Sequence, residues 1–172
     1  MKADSLQLLS SLSRKKLMKR FEYLGEGAAR MVFALDDDQV IKVSKNKFGL
    51  LQNYVEYYVY HRAGERFQKY LCPIIKWLPE IILAERAIPI DADQEYLNCL
   101  WVFCKSKLFY QDILELSKAF SLSKNDLRAT SSWGILHGEK VLIDYGCPND
   151  RGYKFYRNHF SHEIIDKVPF NS

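Results

Sequence analysis

Leu6, Leu8, Leu9, Leu12 and Leu17 recur at helical spacing behind Asp4 and Ser5, either of which suits an N-cap. The pattern predicts an amphipathic helix over residues 5–19. From Phe21 the period drops to two. Residues 21–24 alternate, residues 31–35 are rich in β-formers, and residues 39–43 follow the turn-forming Asp36-Asp37-Asp38, which predicts three antiparallel strands. Residues 50–69 carry no proline and place Leu51, Tyr54, Val55, Tyr58 and Val59 on one helical face, so a long helix is expected there. Pro73 ends that region, and residues 74–77 and 80–84 read as two further strands around Leu78-Pro79. Residues 92–105 and 108–120 predict two helices, residues 121–132 are polar, and His137-Gly138-Glu139 turns a hairpin between residues 133–136 and 140–143.

The sum is an α+β chain: a five-stranded antiparallel sheet with one long helix, then a reduced, mainly helical part. No repeat or Gly/Ser-rich linker divides it, so residues 1–172 read as one domain, with the change of character near residues 86–93. That places the N-terminal helix and the sheet in residues 1–86 and the helical part in residues 87–172. Hydrophobic residues at 48% and charged residues at 27% are ordinary for a globular domain. No apolar run approaches the roughly 20 residues of a membrane span, and residues 1–5 do not resemble a secretory leader, so a soluble, cytoplasmic protein without membrane contact is expected. The net charge of +4 includes a cluster at Arg14, Lys15, Lys16, Lys19 and Arg20, read as a solvated helix face rather than a nucleic-acid surface. Cys72, Cys99, Cys104 and Cys147 form no Cys-x-x-Cys pair and read as thiols, while His159-x-x-His162-Glu163 lacks a third ligand and reads as helix surface. The tyrosines Tyr54, Tyr57, Tyr58 and Tyr60 cover several faces of one helix, which predicts that some lie at an interface within the fold or with a partner.

Four pieces of the chain carry candidate chemistry. Gly25-Glu26-Gly27 falls between two strands, where glycine permits a tight turn and backbone N–H groups approach an anion. Lys42 interrupts an otherwise apolar strand: turned outward it meets solvent, and turned inward it demands a carboxylate, for which Glu56 in the next helix is the candidate. Asp144-Tyr145-Gly146 ends a strand with a carboxylate and a flexible turn. In this order the pieces resemble the protein kinase-like superfamily, in particular its short bacterial and phage-type members. The resemblance implies ATP and Mg²⁺, with Gly25 and Gly27 over the phosphates, Lys42 on them, Glu56 orienting Lys42, and Asp144 holding the metal.

Three departures accompany it. Arg30 stands where the family has its third glycine, so either the loop closes less tightly or a guanidinium supplements the phosphate contacts. No His-Arg precedes Asp126, the carboxylate placed to orient an acceptor hydroxyl, and Ser131 or Ser132 takes the place of the metal-binding asparagine. Asp126 serves equally as a turn cap or a partner of Arg128. The short run after Gly146 implies that a peptide-docking platform is missing. The expected function is ATP- and Mg²⁺-dependent phosphoryl transfer to a protein hydroxyl, including autophosphorylation. The alternative is a pseudokinase or kinase-derived interaction protein that modulates a partner protein.

Overall fold

The computed structural model describes residues 3–90 and 107–160. Two helices, α1 (Ala3–Ser10) and α2 (Arg14–Arg20), stand where one was expected. The hydroxyls of Ser10 and Ser11 donate to the carbonyls of Gln7 and Leu8 at 2.8 and 2.7 Å, satisfying the last acceptors of α1 and ending it. The leucine spacing runs through this break because Leu6, Leu9 and Leu17 all bury against one sheet face, with Met31, Phe33, Ile41 and Val43. The basic residues of α2 point outward and are exposed.

That sheet comprises β1 (Glu22–Glu26), β2 (Arg30–Ala34), β3 (Gln39–Ser44), β4 (Ile74–Leu78) and β5 (Ile81–Glu85). It has the expected five strands, in the order β1-β2-β3-β5-β4, with every neighbouring pair antiparallel. Its other face receives α3 (Lys47–Arg62), N-capped by the Asn46 side chain, which accepts from the Gly49 N–H at 3.1 Å. The long helix expected over residues 50–69 stops at Arg62. Gly64, at φ +56°, turns the chain into a separate short helix α4 (Gly64–Gln68).

Beyond the sheet lie β6 (Ile88–Pro89), α5 (Lys107–Ala119), α6 (Lys124–Arg128), a 3-10 turn (Thr130–Ser132), the hairpin β7 (Trp133–Leu136) and β8 (Glu139–Leu142), and α7 (Asp150–His159). Strands β6, β7 and β8 form a second, three-stranded sheet, so this part is not purely helical. The polar run 121–132 holds α6 and the 3-10 turn. The helix expected over residues 92–105 lies outside the described residues, as do Cys99, Cys104, His162 and Glu163.

The two parts share one core, in which Val55 and Val59 of α3 meet Leu116 of α5, Leu142 of β8 and Tyr156 of α7. Asp112 of α5, 2% exposed, accepts from Arg66 of α4 at 2.6 Å and from the Tyr70 hydroxyl at 2.8 Å, fixing α5 to the sheet-bearing part. The tyrosines of α3 are absorbed internally: Tyr57 stacks on Trp77 at 4.8 Å, and Tyr54 meets Phe160 at 4.5 Å. Among the described residues no helix is long and apolar enough to cross a membrane.

Candidate functional site

Lys42 is buried because both faces of β3 are covered. Ile41 and Val43 pack under α1 and α2, while Val40 and Lys42 face α3. On that side Lys42 Nζ donates to Glu56 Oε2 at 2.7 Å and to the Ile143 carbonyl at 2.5 Å. Glu56 has no exposed surface, and its other oxygen accepts from Arg30 Nη2 at 2.8 Å and from the Tyr145 N–H at 3.4 Å. Burial alone raises the carboxyl pKa, but Arg30 and Lys42 outweigh it and hold the group down at about 2.

Arg30 enters this network through strand register. Pairing of Arg30 with Ser44 and of Val32 with Lys42 puts Arg30 and Lys42 on the same sheet face, two positions apart on neighbouring strands. Arg30 is 5% exposed and bridges two carboxylates. Besides Glu56 it donates to Asp144 Oδ1 at 2.7 Å and, at 3.4 Å, to the Asn53 side-chain oxygen. Burial lowers the guanidinium pKa and the two carboxylates raise it, with a net rise. Asn53, to which the sequence assigned no role, lies three residues before Glu56 on the same helix face. Its amide donates to Ser44 Oγ and the Pro79 carbonyl at 2.9 and 3.0 Å.

Asp144 arrives from the hairpin. Leu142 exchanges backbone hydrogen bonds with Tyr70 and Cys72, and the Ser132 carbonyl accepts from Ile143 and Asp144 at 2.8 and 3.3 Å. Tyr145 then buries completely, its hydroxyl donating to the Cys72 carbonyl at 2.9 Å, which leaves the Asp144 side chain 48% exposed. Gly146 passes so close to α3 that a Cβ would stand 2.6 Å from the Gln52 carbonyl oxygen. Gly146→Ala is expected to destabilise the fold by about 2 kcal/mol, because the contact is with backbone and neither side can yield cheaply. Urea denaturation checks this, and an unchanged midpoint refutes the tight approach.

These groups line a cavity of about 570 Å³. Its wall includes Gly25, Gly27, Arg30, Lys42, Asp126, Ser131 and Asp144, together with apolar Leu24, Val32, Val40 and Ile143. Glu56 lies behind Lys42, outside the lining. The glycine turn is braced: Gly25 takes φ +151° at a β1–β2 irregularity, Gly27 N–H donates to the Arg30 carbonyl at 2.9 Å, and Lys45 Nζ donates to the Gly27 carbonyl at 3.0 Å. Asp126 lies in the first turn of α6, where the cap is Ser123, accepting from the Asp126 N–H at 3.4 Å. Asp126 is exposed, and no ion pair joins it to Arg128 among the described residues. Ser131 reaches the cavity, whereas Ser132 is buried and contributes its carbonyl.

Burial pushes the thiols of Cys72 and Cys147 up to about 11 and about 12, which favours the protonated form at neutral pH. Of the cavity's carboxylates Asp144 is the one the resemblance assigns to a divalent metal, and its surroundings do not suit one. No three His, Cys, Asp or Glu side chains gather into a metal site among the described residues. Asp144 shares its charge with a fixed guanidinium at 2.7 Å, and Ser131 offers only a neutral hydroxyl. No protein-family model matches the chain, and no curated protein matches it in sequence.

Proposed function

We propose that this chain is a kinase-like nucleotide-binding protein of reduced size, which takes ATP into the cavity and transfers the γ-phosphoryl group to a protein hydroxyl. The observation that carries the reading is the buried Lys42–Glu56 ion pair, 2.7 Å long, beside a cavity that Gly25, Gly27, Asp126 and Asp144 also line. Leu24, Val32, Val40 and Ile143 offer a planar base an apolar slot. Lys42 and Arg30, both buried, offer phosphates two fixed cations.

In the transfer, the acceptor oxygen attacks the γ-phosphorus, the bond from that phosphorus to the β–γ bridging oxygen breaks, and ADP departs with the electron pair. The hydroxyl proton passes to the Asp126 carboxylate. Lys42 and Arg30 offset the charge on the phosphates, and the Glu56 carboxylate fixes both cations so that they need no reorganisation.

Thermal shift and calorimetry with ATP, followed by γ-³²P transfer to the chain itself and to a generic protein acceptor, test the reading. Lys42→Met is expected to weaken ATP binding about tenfold or more while the fold survives, because Arg30 still neutralises Glu56. Absence of ATP binding to the parent chain overturns the reading. A second reading, a nucleotide-binding interaction protein without transfer, is favoured by one observation: Arg30 engages the carboxylate of Asp144. ATP binding with no transfer to any acceptor selects it.

A further inference from the structure

We propose that Arg30 is the built-in cation of this site, so that the phosphates of a nucleoside triphosphate are held without a divalent metal ion. The inference rests on the nucleotide-binding reading above and concerns how that site is charged. Four ionised side chains meet there: Arg30 and Lys42 against Glu56 and Asp144, linked by contacts of 2.7 to 2.8 Å. Their charges cancel. With Lys42, Glu56 and Asp144 alone the cluster is net negative and repels a triphosphate, and a metal ion must reverse that sign. The guanidinium supplies the missing positive charge at the very carboxylate where a metal would sit.

Arg30 also has donors to spare. A guanidinium carries five N–H donors in a rigid fork. Nη2 is committed to Glu56 and Asp144 and one Nη1 hydrogen to Asn53, which leaves two N–H donors without a partner among the described residues. The side chain lines the cavity next to Lys42. Glu56 and Asn53 hold the fork in place from α3. A carboxylate already sharing its charge with such a cation is a poor competitor for Mg²⁺, which dehydrates reluctantly.

Calorimetry of the whole chain with a non-hydrolysable ATP analogue, once in EDTA and once in excess Mg²⁺, tests the proposal. The parent is expected to bind with dissociation constants agreeing within about threefold in the two buffers. Arg30→Met is expected to weaken binding in EDTA by about tenfold or more, and Mg²⁺ is expected to restore part of the loss. Because Arg30 is buried and its loss threatens folding, Asp144→Asn provides an independent arm. That half-exposed position tolerates the change, and freeing the guanidinium is expected to leave metal-free binding as tight as in the parent or tighter. Binding by the parent that is more than about tenfold weaker in EDTA than in Mg²⁺ overturns the proposal and leaves the nucleotide site standing. Loss of metal-free binding in Asp144→Asn overturns it in the same way. No heat in either buffer removes the nucleotide reading and this inference together.

Discussion

Glu56→Ala is expected to be the most damaging single substitution in the cavity region, costing about 3–5 kcal/mol, because it strands two buried cations at once. A domain of this size has only about 5–15 kcal/mol of stability in total, so the variant is expected to melt near or below physiological temperature. Lys42→Ala and Arg30→Ala each leave Glu56 with one cation, and each is expected to cost about 2 kcal/mol. The asymmetry follows from geometry: Glu56 gives one oxygen to each partner, whereas neither cation has a second carboxylate as deeply buried. Urea denaturation of the three variants checks the order, and equal losses would show that Glu56 is not the hub. The same network sets an acid limb. A carboxyl held at about 2 when folded, against 4.5 for the ordinary group, contributes stability in full above about pH 4.5 and loses it as the pH falls towards 2. That difference corresponds to about 3 kcal/mol. Glu56→Gln is expected to lose this stability at neutral pH and to flatten the acid limb, which a series of melts between pH 2 and pH 7 reads directly.

The Lys42–Glu56 contact was legible only in part: a lysine in an apolar strand either meets solvent or needs a carboxylate, and the resemblance of the next helix to the kinase-like family singled out Glu56, while the covering of both sheet faces that forces the pairing is a tertiary fact. Arg30 was harder. Its place depends on β2–β3 register, which sets Arg30 beside Lys42, and on Asp144, which lies 114 residues away in sequence. Hydrophobic patterning encodes which face a residue takes but not which distant carboxylate arrives there. The N-terminal helices misled for a related reason. Burial dictated the leucine spacing, while the break between α1 and α2 came from serine hydroxyls capturing carbonyls, a local event that periodicity overlooks. Strand β6 was missed because two residues are too short to show alternation, and Ile88 and Pro89 become a strand only through pairing with Ile135 and Gly134. The end of α3 could have been read: Gly64 was visible, and its left-handed turn is the kind of stop that glycine permits.

Asp126→Ala is expected to reduce γ-phosphoryl transfer by about 10²–10⁴-fold while leaving ATP affinity within about twofold of the parent. The separation is expected because Asp126 reaches the cavity from α6, whereas the buried charge network is assembled from β2, β3, α3 and the Asp144 segment. Removing an exposed carboxylate from the first turn of a short helix costs at most about 1 kcal/mol, so the folded population is unaffected. Ser123 keeps its capping role, since it accepts from the Asp126 backbone rather than from its side chain. The measurement is single-turnover transfer from γ-³²P-labelled ATP, paired with calorimetry on the same preparation. Asp126→Asn distinguishes proton acceptance from simple placement: it retains the shape and a hydrogen-bond acceptor but not the negative charge, so a proton-accepting role predicts a loss close to that of alanine. Transfer that survives both substitutions removes Asp126 from the mechanism. Transfer absent from the parent, with ATP still bound, shifts the function to the interaction protein, in which Arg30 keeps Asp144 engaged and the cavity holds nucleotide without spending it.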